Sequence, residues 1–386
     1  MLIKPANIRY ISLLAATILV LPVPLGSLKG LFIWMSPLIL INSAVAQHTL
    51  YWYNLPGLSV LILIIFKDKF FCRYLCPVGV LCDPVSRYAA RKFTNRRFPD
   101  LARGIFLLSL ILALFGVPLM YLIDPLNAYN AFFDPIYPDY TLWKGLKSTG
   151  LFFIVLINIF YPHSWCRKIC PLGGLQFAIA DIKNIFIRKA DSSSNKFNKT
   201  RRYFIAGIAG TVAGILLSRI NITREQVAMR PPATIPEEEL GFVCSRCGNC
   251  MKTCPTGIIQ PLTSATGLIS LLTPRIDFST SYCLDDCNLC GKVCPTGAIR
   301  PFTIPEKKHL ITGIAYLTPG LCLLTDNQEC DLCKFSCGYD AIEITGTYNY
   351  SAVPFILEDK CVGCGACQVA CPAAAIKVHP VRNDDG

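Results

Sequence analysis

Long apolar stretches alternate with short polar segments through the N-terminal half of the chain. A membrane span needs about 20 apolar residues, and about 17 suffice when aromatic side chains flank the stretch. The pattern predicts an all-α membrane domain at residues 1–189 and a fifth transmembrane helix, an anchor, within residues 190–220. Buried helices of a large soluble protein are the alternative. The stretches cover residues 10–23, 52–66, 105–122, 151–161 and, more weakly, 204–218.

Positive charge is concentrated in alternate loops between these stretches. Residues 67–103 and 167–202 each hold nine Lys and Arg, whereas residues 26–52 hold one and residues 122–149 hold two. Loops rich in Lys and Arg stay on the cytoplasmic side of a membrane. This order of charges disfavours a soluble protein. It predicts that both basic loops and the N-terminus are cytoplasmic, and that the chain lies outside after the fifth helix.

Each of the two basic loops carries a copy of one motif near its start. Residues 71–79 read FCRYLCPVG and residues 165–173 read WCRKICPLG. Further upstream, Ser36-Pro37 and Asp124-Pro125 each match a helix N-cap followed by proline in the first turn. The membrane domain is therefore predicted to consist of two tandem helix-pair repeats, with their cysteines on the same side.

Each motif places two cysteines four residues apart, on one face of a helix. A [4Fe–4S] cluster takes four thiolates. Two motifs related by a pseudo-twofold axis therefore predict one shared cluster at the cytoplasmic face, held by Cys72, Cys76, Cys166 and Cys170. A pair of reduced thiols, a regulatory dithiol and a site for Cu(I) are the alternatives. Cys82 is interpreted as a lone buried thiol.

The C-terminal half carries sixteen of the 21 cysteines, arranged in four groups. In each group, three cysteines are followed after three further residues by a fourth. This is the bacterial sequence run for [4Fe–4S] clusters, in which the fourth cysteine binds the partner cluster. The spacing does not fit a disulfide scaffold. It predicts an α+β bacterial-ferredoxin-like domain with four [4Fe–4S] clusters at residues 221–386, on the groups Cys244, Cys247, Cys250, Cys254; Cys283, Cys287, Cys290, Cys294; Cys322, Cys330, Cys333, Cys337; and Cys361, Cys364, Cys367, Cys371.

Composition narrows the classes of function. Hydrophobic residues make up 53% of the chain and charged residues 16%, well below the roughly 25% of soluble proteins. Residues 1–202 carry 23 Lys and Arg against eight Asp and no Glu. Because these cations lie between apolar runs, membrane topology explains them and no nucleic-acid partner is expected. No nucleotide, flavin or molybdopterin motif is present, so terminal substrate chemistry is expected in another subunit.

The junction between the two halves is polar and then basic. Residues 190–200 read ADSSSNKFNKT, a flexible cytoplasmic linker by composition. Arg201-Arg202, followed by Phe204 and the fifth apolar stretch, resembles a twin-arginine export signal placed internally. Such a signal suits a domain that acquires its clusters before it crosses the membrane. We therefore expect the chain from about residue 221 to lie in the periplasm.

The motifs together resemble two known families. Residues 1–189 resemble the membrane quinol-dehydrogenase component of periplasmic nitrate-reductase systems, the NapH type, on the two C-x3-C-P motifs and the Asp124-Pro125 turn. Residues 199–380 resemble its exported ferredoxin-type partner, NapG, and the similar MauM. That resemblance rests on the twin arginines, on Arg230-Pro231-Pro232 and on the four cysteine groups. The chain looks like a natural fusion of the two components.

The resemblance implies a quinol dehydrogenase or electron-transfer subunit of a larger respiratory complex in the inner membrane. Electrons from the quinol pool would pass outward through the clusters to a periplasmic reductase or cytochrome. A quinol pocket is expected at the outer face, with Asp124 either as proton acceptor or only as helix N-cap, and with His48 as a second candidate. The four-cysteine site would then lie across most of the membrane from the exported clusters.

The resemblance to four-cluster electron-transfer subunits also implies how the cysteines are shared. In such subunits the exchange of fourth cysteines is usually nested. The first group exchanges its fourth cysteine with the fourth group, and the second group exchanges with the third. Exchange between neighbouring groups is the alternative. Nested exchange would add Cys371 to the first group, Cys337 to the second, Cys294 to the third and Cys254 to the fourth.

A second class of function fits the same sequence. A maturation or assembly factor for a periplasmic metalloenzyme would need electrons only to activate its partner. A redox-sensing membrane protein is a third interpretation. Oxidation of quinol by the protein itself would favour the electron-transfer interpretation over both.

Overall fold

Two compact units make up the chain. The first contains Met1–Asn221 together with Phe242–Cys247, and the second contains Ile222–Gly241 and Gly248–Gly386. The predicted linker, the twin arginines and most of the fifth apolar stretch lie outside the described residues. The computed structural model describes residues 5–21, 26–48, 51–67, 69–92, 99–115, 123–136, 142–187, 207–208, 210–212, 228–263, 270–326, 328–348 and 351–381.

The described part of the first unit is built from α-helices. The four predicted apolar stretches form α1, α4, α6 and α8. The N-cap and proline signals correctly predict where α3 and α7 begin, because a cap is a contact within one helical turn. The helices are α1 Pro5–Val20, α2 Leu31–Trp34, α3 Pro37–Gln47, α4 Leu55–Phe66, α5 Pro77–Lys92, α6 Ala102–Leu114, α7 Pro125–Phe132, α8 Leu142–Phe160 and α9 Pro171–Ile187.

The repeat of the sequence is also a repeat of structure. Each copy runs from a long helix through a short capped helix to a second long helix, then to a π-helical turn and a final helix. Just before each π turn, a residue other than glycine adopts a left-handed conformation, Lys69 and His163, both with φ of 58°. Within each copy the first and last helices pack together, α1 on α5 and α6 on α9. Among the described residues, each copy thus has four equivalent α-helices rather than the predicted pair, and the first copy also contains the short helix α2.

The helices of the first unit are short. No single helix among the described residues is both long enough and apolar enough to cross a bilayer. One broken pair, Leu28–Trp34 and Pro37–Gln47, reaches the necessary length and composition together, with an 88° bend between its two parts.

The second unit has small sheets and short helices, the α+β arrangement that the cysteine groups predict. β1 pairs with β2, β3 with β6, and β4 with β5, all antiparallel. Its strands are β1 Ile259–Pro261, β2 Pro274–Ile276, β3 Gly313–Leu317, β4 Ile342–Tyr348, β5 Ser351–Ile356 and β6 Ile376–Pro380. The helices in this part of the chain are α10 Glu237–Val243, α11 Asn249–Thr253, α12 Leu289–Lys292, α13 Ile304–Lys307, α14 Leu332–Phe335 and α15 Ala366–Ala370.

Helices that carry cysteines pack in neighbouring pairs in the second unit. α11 lies against α12, and α14 lies against α15. The apolar clusters between them are small; one contains Ile258, Ile276 and Phe278 and includes several cysteines at its edge. Cores of this size supply little folding free energy, so bound clusters are expected to contribute much of it.

Candidate iron–sulfur sites

The four cysteines of the two C-x3-C-P motifs form one group in the first unit. The side chains of Cys72, Cys76, Cys166 and Cys170 lie close enough for every pair among them to interact electrostatically. Cys76 and Cys170 are buried, and the other two are half-buried. The structure therefore brings together the set that the repeat predicts. We call this set the four-cysteine site.

A π-helical turn positions each pair of cysteines. The turns are Phe71–Leu75 and Trp165–Ile169. The backbone N–H groups of Cys76 and Cys170 each bond to the carbonyl five residues earlier, at 2.9 and 2.8 Å. A π turn is a rare geometry that occurs mostly at functional sites. Here it is followed in both copies by the proline that begins the next helix.

Every sulfur of the four-cysteine site accepts a hydrogen bond. Two of the donors are backbone groups at the same position of the two motifs, and two are side chains on the helices that follow. The sequence does not predict the side-chain donors, because each reaches into the other repeat. The donors are Gly79 N–H to Cys76, Gly173 N–H to Cys170, the Gln176 amide to Cys72 at 2.9 Å, and the Cys82 thiol to Cys166.

This donor set fits a [4Fe–4S] cluster. Such a cluster takes one cysteine thiolate on each iron, and hydrogen bonds to its sulfurs help to set its potential. Within the described parts of the chain, no three His, Cys, Asp or Glu side chains are placed to hold one metal ion; a cubane distributes its four cysteines over four irons. The interpretation of Cys82 as a lone thiol is wrong, because Cys82 is a fifth thiol of this group.

Two glycines allow the motif backbone to pack closely. A Cβ atom at Gly79 would lie within 3 Å of the Cys72 carbonyl oxygen, and one at Gly173 would lie equally close to that of Cys166. Real Cβ atoms do not approach backbone oxygens so closely. Glycine at this position therefore lets the helix after the motif donate its N–H to the second cysteine.

Replacing Gly79 or Gly173 with alanine is expected to empty the four-cysteine site. The added methyl group would push the N–H donor and the second cysteine away from the other ligands. Iron analysis of the purified protein should show a loss of about four of about twenty iron atoms per chain. Gly150→Ala in α8 is the matched control, because nothing lies within 4 Å of its Cβ position and alanine favours a helix interior. Full iron content in both motif variants would contradict this role of the glycines.

A basic cavity of about 400 Å³ opens beside the four-cysteine site. Cys72, Cys82 and Cys166 line it. Five cationic side chains and one carboxylate, Asp83, also lie on its wall; Asp83 is paired with two of the cations. The remaining polar lining includes His163, Gln176, Asn158 and Ser86. The five cations are Arg9, Lys69, Arg73, Arg87 and Arg167.

Neither predicted proton acceptor lines this cavity. Asp124 is fully buried and caps α7: its carboxylate accepts hydrogen bonds from the Ser36 hydroxyl and from the N–H groups of Leu126 and Asn127. His48 is an exposed residue at the end of α3. The expected quinol pocket near Asp124 therefore does not coincide with the cavity, because the carboxylate is occupied by helix capping.

Asp124 also lies nearer the four-cysteine site than the sequence predicts. Its carboxylate interacts electrostatically with Cys76 and Cys170. From this point α7 extends for eight residues, about 12 Å. The two copies of the motif and the caps of the short helices therefore meet within the first unit, rather than at opposite faces of it.

Two asparagines of α7 hold the start of the first ferredoxin cysteine group. The Asn130 amide donates to the Cys247 carbonyl at 2.8 Å, and the Asn127 amide to the Ser245 carbonyl at 3.4 Å. The Lys147 ammonium group donates to the Arg246 carbonyl at 2.7 Å. All of these residues belong to the first unit. α7 thus contacts the segment that carries Cys244 and Cys247 within the first unit.

The second unit brings the fourth cysteine of one group to the first three of a neighbour. These assignments rest on electrostatic contacts between the sulfurs and on shared cavity walls. They are Cys254 with Cys283, Cys287 and Cys290; Cys337 with Cys361, Cys364 and Cys367; and Cys371 with Cys322, Cys330 and Cys333.

The nested exchange is therefore wrong for these sets, and exchange between neighbours replaces it. The reason is helix packing. Cys254 ends α11, which packs on α12 of the second group, and Cys371 ends α15, which packs on α14 of the third. A fourth cysteine reaches the group whose helix lies against its own. Nested exchange would have required helices of the first and fourth groups to pack together.

The three sets contact one another in succession within the second unit. The Cys283 N–H donates to the Cys364 carbonyl at 2.9 Å, which joins two of them. Cys367 and Cys333 interact electrostatically, which joins the second set to the third. Neighbouring sets in contact are what electron transfer between successive clusters requires.

A buried cation, Lys307, supports the set around Cys283. Its side chain is 3% exposed and donates to the carbonyls of Leu284 and Cys287. The Thr303–Glu306 capping box begins the short helix that carries it. Positive charge beside a cluster favours its reduced, more negative state. The sequence does not single out Lys307, because its contacts are twenty or more residues away.

Burial makes the thiolates of the second unit costly in the absence of iron. Burial, together with the charges of neighbouring cysteines, raises the pKa of Cys364 to about 11 and that of Cys367 to about 12. Thiolate is the form that binds iron. Iron supplies the compensating charge, so these sets fit [4Fe–4S] clusters.

Comparison with known proteins follows the same division. A family model described as a 4Fe-4S dicluster domain matches residues 243–298, and one described as a 4Fe-4S binding domain matches residues 354–377. Another model with the latter description matches residues 50–96 and 148–189. These last two ranges contain both C-x3-C-P motifs and the helices that follow them, α5 and α9.

Curated relatives identify the family. The chain is 30% identical over 211 residues to the ferredoxin-type protein NapG of Escherichia coli (strain K12). This match covers 49% of the chain and 90% of the relative. The chain belongs to the NapG-type ferredoxin proteins. To MauM, the methylamine utilization ferredoxin-type protein of Methylophilus methylotrophus, it is 31% identical over 48% of this chain and 84% of that relative.

NapF of Haemophilus influenzae is a further relative of this NapG-type protein, 27% identical over 49% of the chain and 98% of the relative. No solved structure matches the chain. The matches confirm the predicted resemblance to NapG and MauM and an iron–sulfur electron-transfer role. About half of the chain is covered by each of these relatives.

Proposed function

We propose that this chain oxidises quinol in the inner membrane and delivers the electrons to a periplasmic reductase or cytochrome. The observation that carries the proposal is the four-cysteine site, whose sulfurs all accept hydrogen bonds and which borders an open basic cavity. In this proposal the first unit is a quinol dehydrogenase of NapH type, fused to a NapG-type ferredoxin. The [4Fe–4S] clusters, when bound, supply one-electron carriers.

Exposed apolar side chains support membrane insertion. On α4 and α8, Phe66 is 78% exposed, Phe152 71% and Phe153 61%; on α1, Leu14 is 62% exposed. Soluble proteins rarely expose so many large apolar residues. Together with the basic loops, this surface supports an orientation with the motif loops in the cytoplasm and the ferredoxin unit outside.

The basic cavity is the proposed site for the quinol head group. Its volume of about 400 Å³ lies in the range of small-molecule sites. Lys69 and Arg73 supply hydrogen-bond donors for quinol oxygens, and Phe177 supplies an aromatic wall. His163 is the imidazole of the lining; burial and then the charge of Arg167 lower its pKa, so it is neutral at pH 7 and suits a proton acceptor. A quinol bound there would lie beside the four-cysteine site, because Cys72 and Cys166 line the same cavity.

The four ferredoxin clusters complete the route in this proposal. The same exchange between neighbouring groups assigns Cys294 to the first group. α7 contacts the segment that carries Cys247 within the first unit.

Membrane vesicles of known orientation test both the quinol link and the outward direction. Right-side-out vesicles holding the protein should reduce added ferricyanide, which does not cross membranes, when menaquinol is supplied in the lipid. Inverted vesicles should not. The rate should fall at least tenfold in a Lys69→Ala, His163→Ala double variant, because both side chains line the proposed quinol site.

The possible failures can be told apart. If dithionite reduces the clusters in right-side-out vesicles but menaquinol does not, the quinol link is wrong. If only inverted vesicles reduce ferricyanide, the orientation is wrong and the acceptor is not periplasmic.

A further inference from the structure

Two buried side chains occupy the same place in the two repeats. Counting six residues onward from the second cysteine of each motif gives Cys82 on α5 and Gln176 on α9. Each is 2% exposed. They are therefore equivalent positions under the pseudo-twofold symmetry, filled by different residue types.

Each of the two side chains crosses to the opposite repeat. The Gln176 amide donates to the Cys72 sulfur at 2.9 Å, and the Cys82 thiol donates to the Cys166 sulfur. Both targets are the first cysteine of a motif. The second cysteines receive backbone donors, which the two copies share. The difference between the two halves of the site thus rests on residues 82 and 176.

A chain of hydrogen bonds supports the Cys82 donor. The backbone N–H of His163 donates to the Ser86 hydroxyl at 3.1 Å, and that hydroxyl donates to the Asn158 side-chain oxygen at 3.4 Å. The Asn158 amide in turn donates to the Cys82 sulfur at 3.4 Å. Ser86 and Asn158 are fully buried. Because every donor points the same way, the bonds polarise one another toward Cys166.

Gln176 has a different environment. Its amide nitrogen also lies 3.5 Å from the Leu172 carbonyl, and its side-chain oxygen has no partner among the described residues. An amide N–H is a stronger donor than a thiol. The Cys72 sulfur is therefore expected to be stabilised more strongly than the Cys166 sulfur.

We propose that Cys82 and Gln176 are paired positioning residues that set the reduction potential of the four-cysteine site, each by one hydrogen bond to a ligand sulfur of the other repeat. Donors to the ligand sulfurs stabilise the more negative, reduced state. The inference rests on the proposed function only in that an iron–sulfur cluster occupies this site. It makes neither residue a ligand.

Redox titration followed by EPR spectroscopy tests the proposal on the full chain in detergent. Gln176→Met keeps the length of the side chain and removes the donor. At a fixed potential, the ratio of reduced to oxidised cluster should fall about tenfold, a shift of about 59 mV for one electron. Cys82→Ala should also lower this ratio, but by a smaller factor. Cys82→Ser keeps a donor and should restore the wild-type ratio.

Ser109→Ala is the control. This hydroxyl is equally buried but bonds within α6, to the Phe106 carbonyl, so its loss should leave the potential unchanged. Iron content is measured in every variant. If Gln176→Met and Cys82→Ala both keep the full iron content and the wild-type reduction potential, the inference is overturned. Wild-type protein with about sixteen iron atoms and no fifth signal would instead overturn the cluster at this site.

Discussion

Replacing Cys76 and Cys170 with serine is expected to remove one whole cluster and to abolish quinol oxidation. The two residues come from different repeats, yet they interact electrostatically with each other and with both remaining cysteines of the site. Losing two of four thiolates leaves too few ligands for a cubane. Iron and acid-labile sulfide should each fall from about twenty to about sixteen per chain, and menaquinol-driven ferricyanide reduction should fall at least 100-fold.

The remaining clusters provide an internal control. Dithionite should still reduce the ferredoxin clusters of the double variant, because their ligands lie elsewhere in the chain. Cys82→Ala is the matched cysteine variant and should retain about twenty iron atoms, since Cys82 is a donor and not a ligand. If wild type and double variant both hold about sixteen, the motifs form a thiol pair or a regulatory dithiol instead.

Local chemistry made much of this architecture predictable. A cap such as Asp124 and its proline act within one helical turn, and the cysteine spacing of a cluster motif is likewise local. The sequence could therefore identify the starts of α3 and α7, the repeated motif and the sixteen ferredoxin cysteines. The helix α5 was harder to predict from the sequence, because its Arg and Lys residues and its internal Pro84 obscure an apolar pattern.

Contacts between distant segments were not predictable in the same way. Gln176 and Cys72 are 104 residues apart, and nothing in either local sequence marks them as partners. The interpretation of Cys82 as a lone thiol was wrong for the same reason. The exchange of fourth cysteines depends on which short helices pack together, and the four groups have nearly the same spacing. Sequence alone could state the two forms of exchange but not choose between them.

The exchange can be tested residue by residue through the Cys337→Ala variant. In the structure Cys337 lies with Cys361, Cys364 and Cys367, whereas nested exchange placed it with the second group. Without Cys337 that cluster lacks one ligand, and about four iron atoms should be lost. Two of its other cysteines belong to a small apolar core with Ile342 and Ile376, which should open when the cluster leaves.

Alkylation of the native protein, read by mass spectrometry, identifies which thiols become free. In Cys337→Ala, labelling of Cys361, Cys364 and Cys367 should rise at least tenfold, because thiols released from iron are the reactive ones. Cys371→Ala is the matched control and should instead expose Cys322, Cys330 and Cys333. Labelling of Cys283, Cys287 and Cys290 in Cys337→Ala would restore the nested exchange. The packing of α14 on α15 would then not determine how these groups share their cysteines.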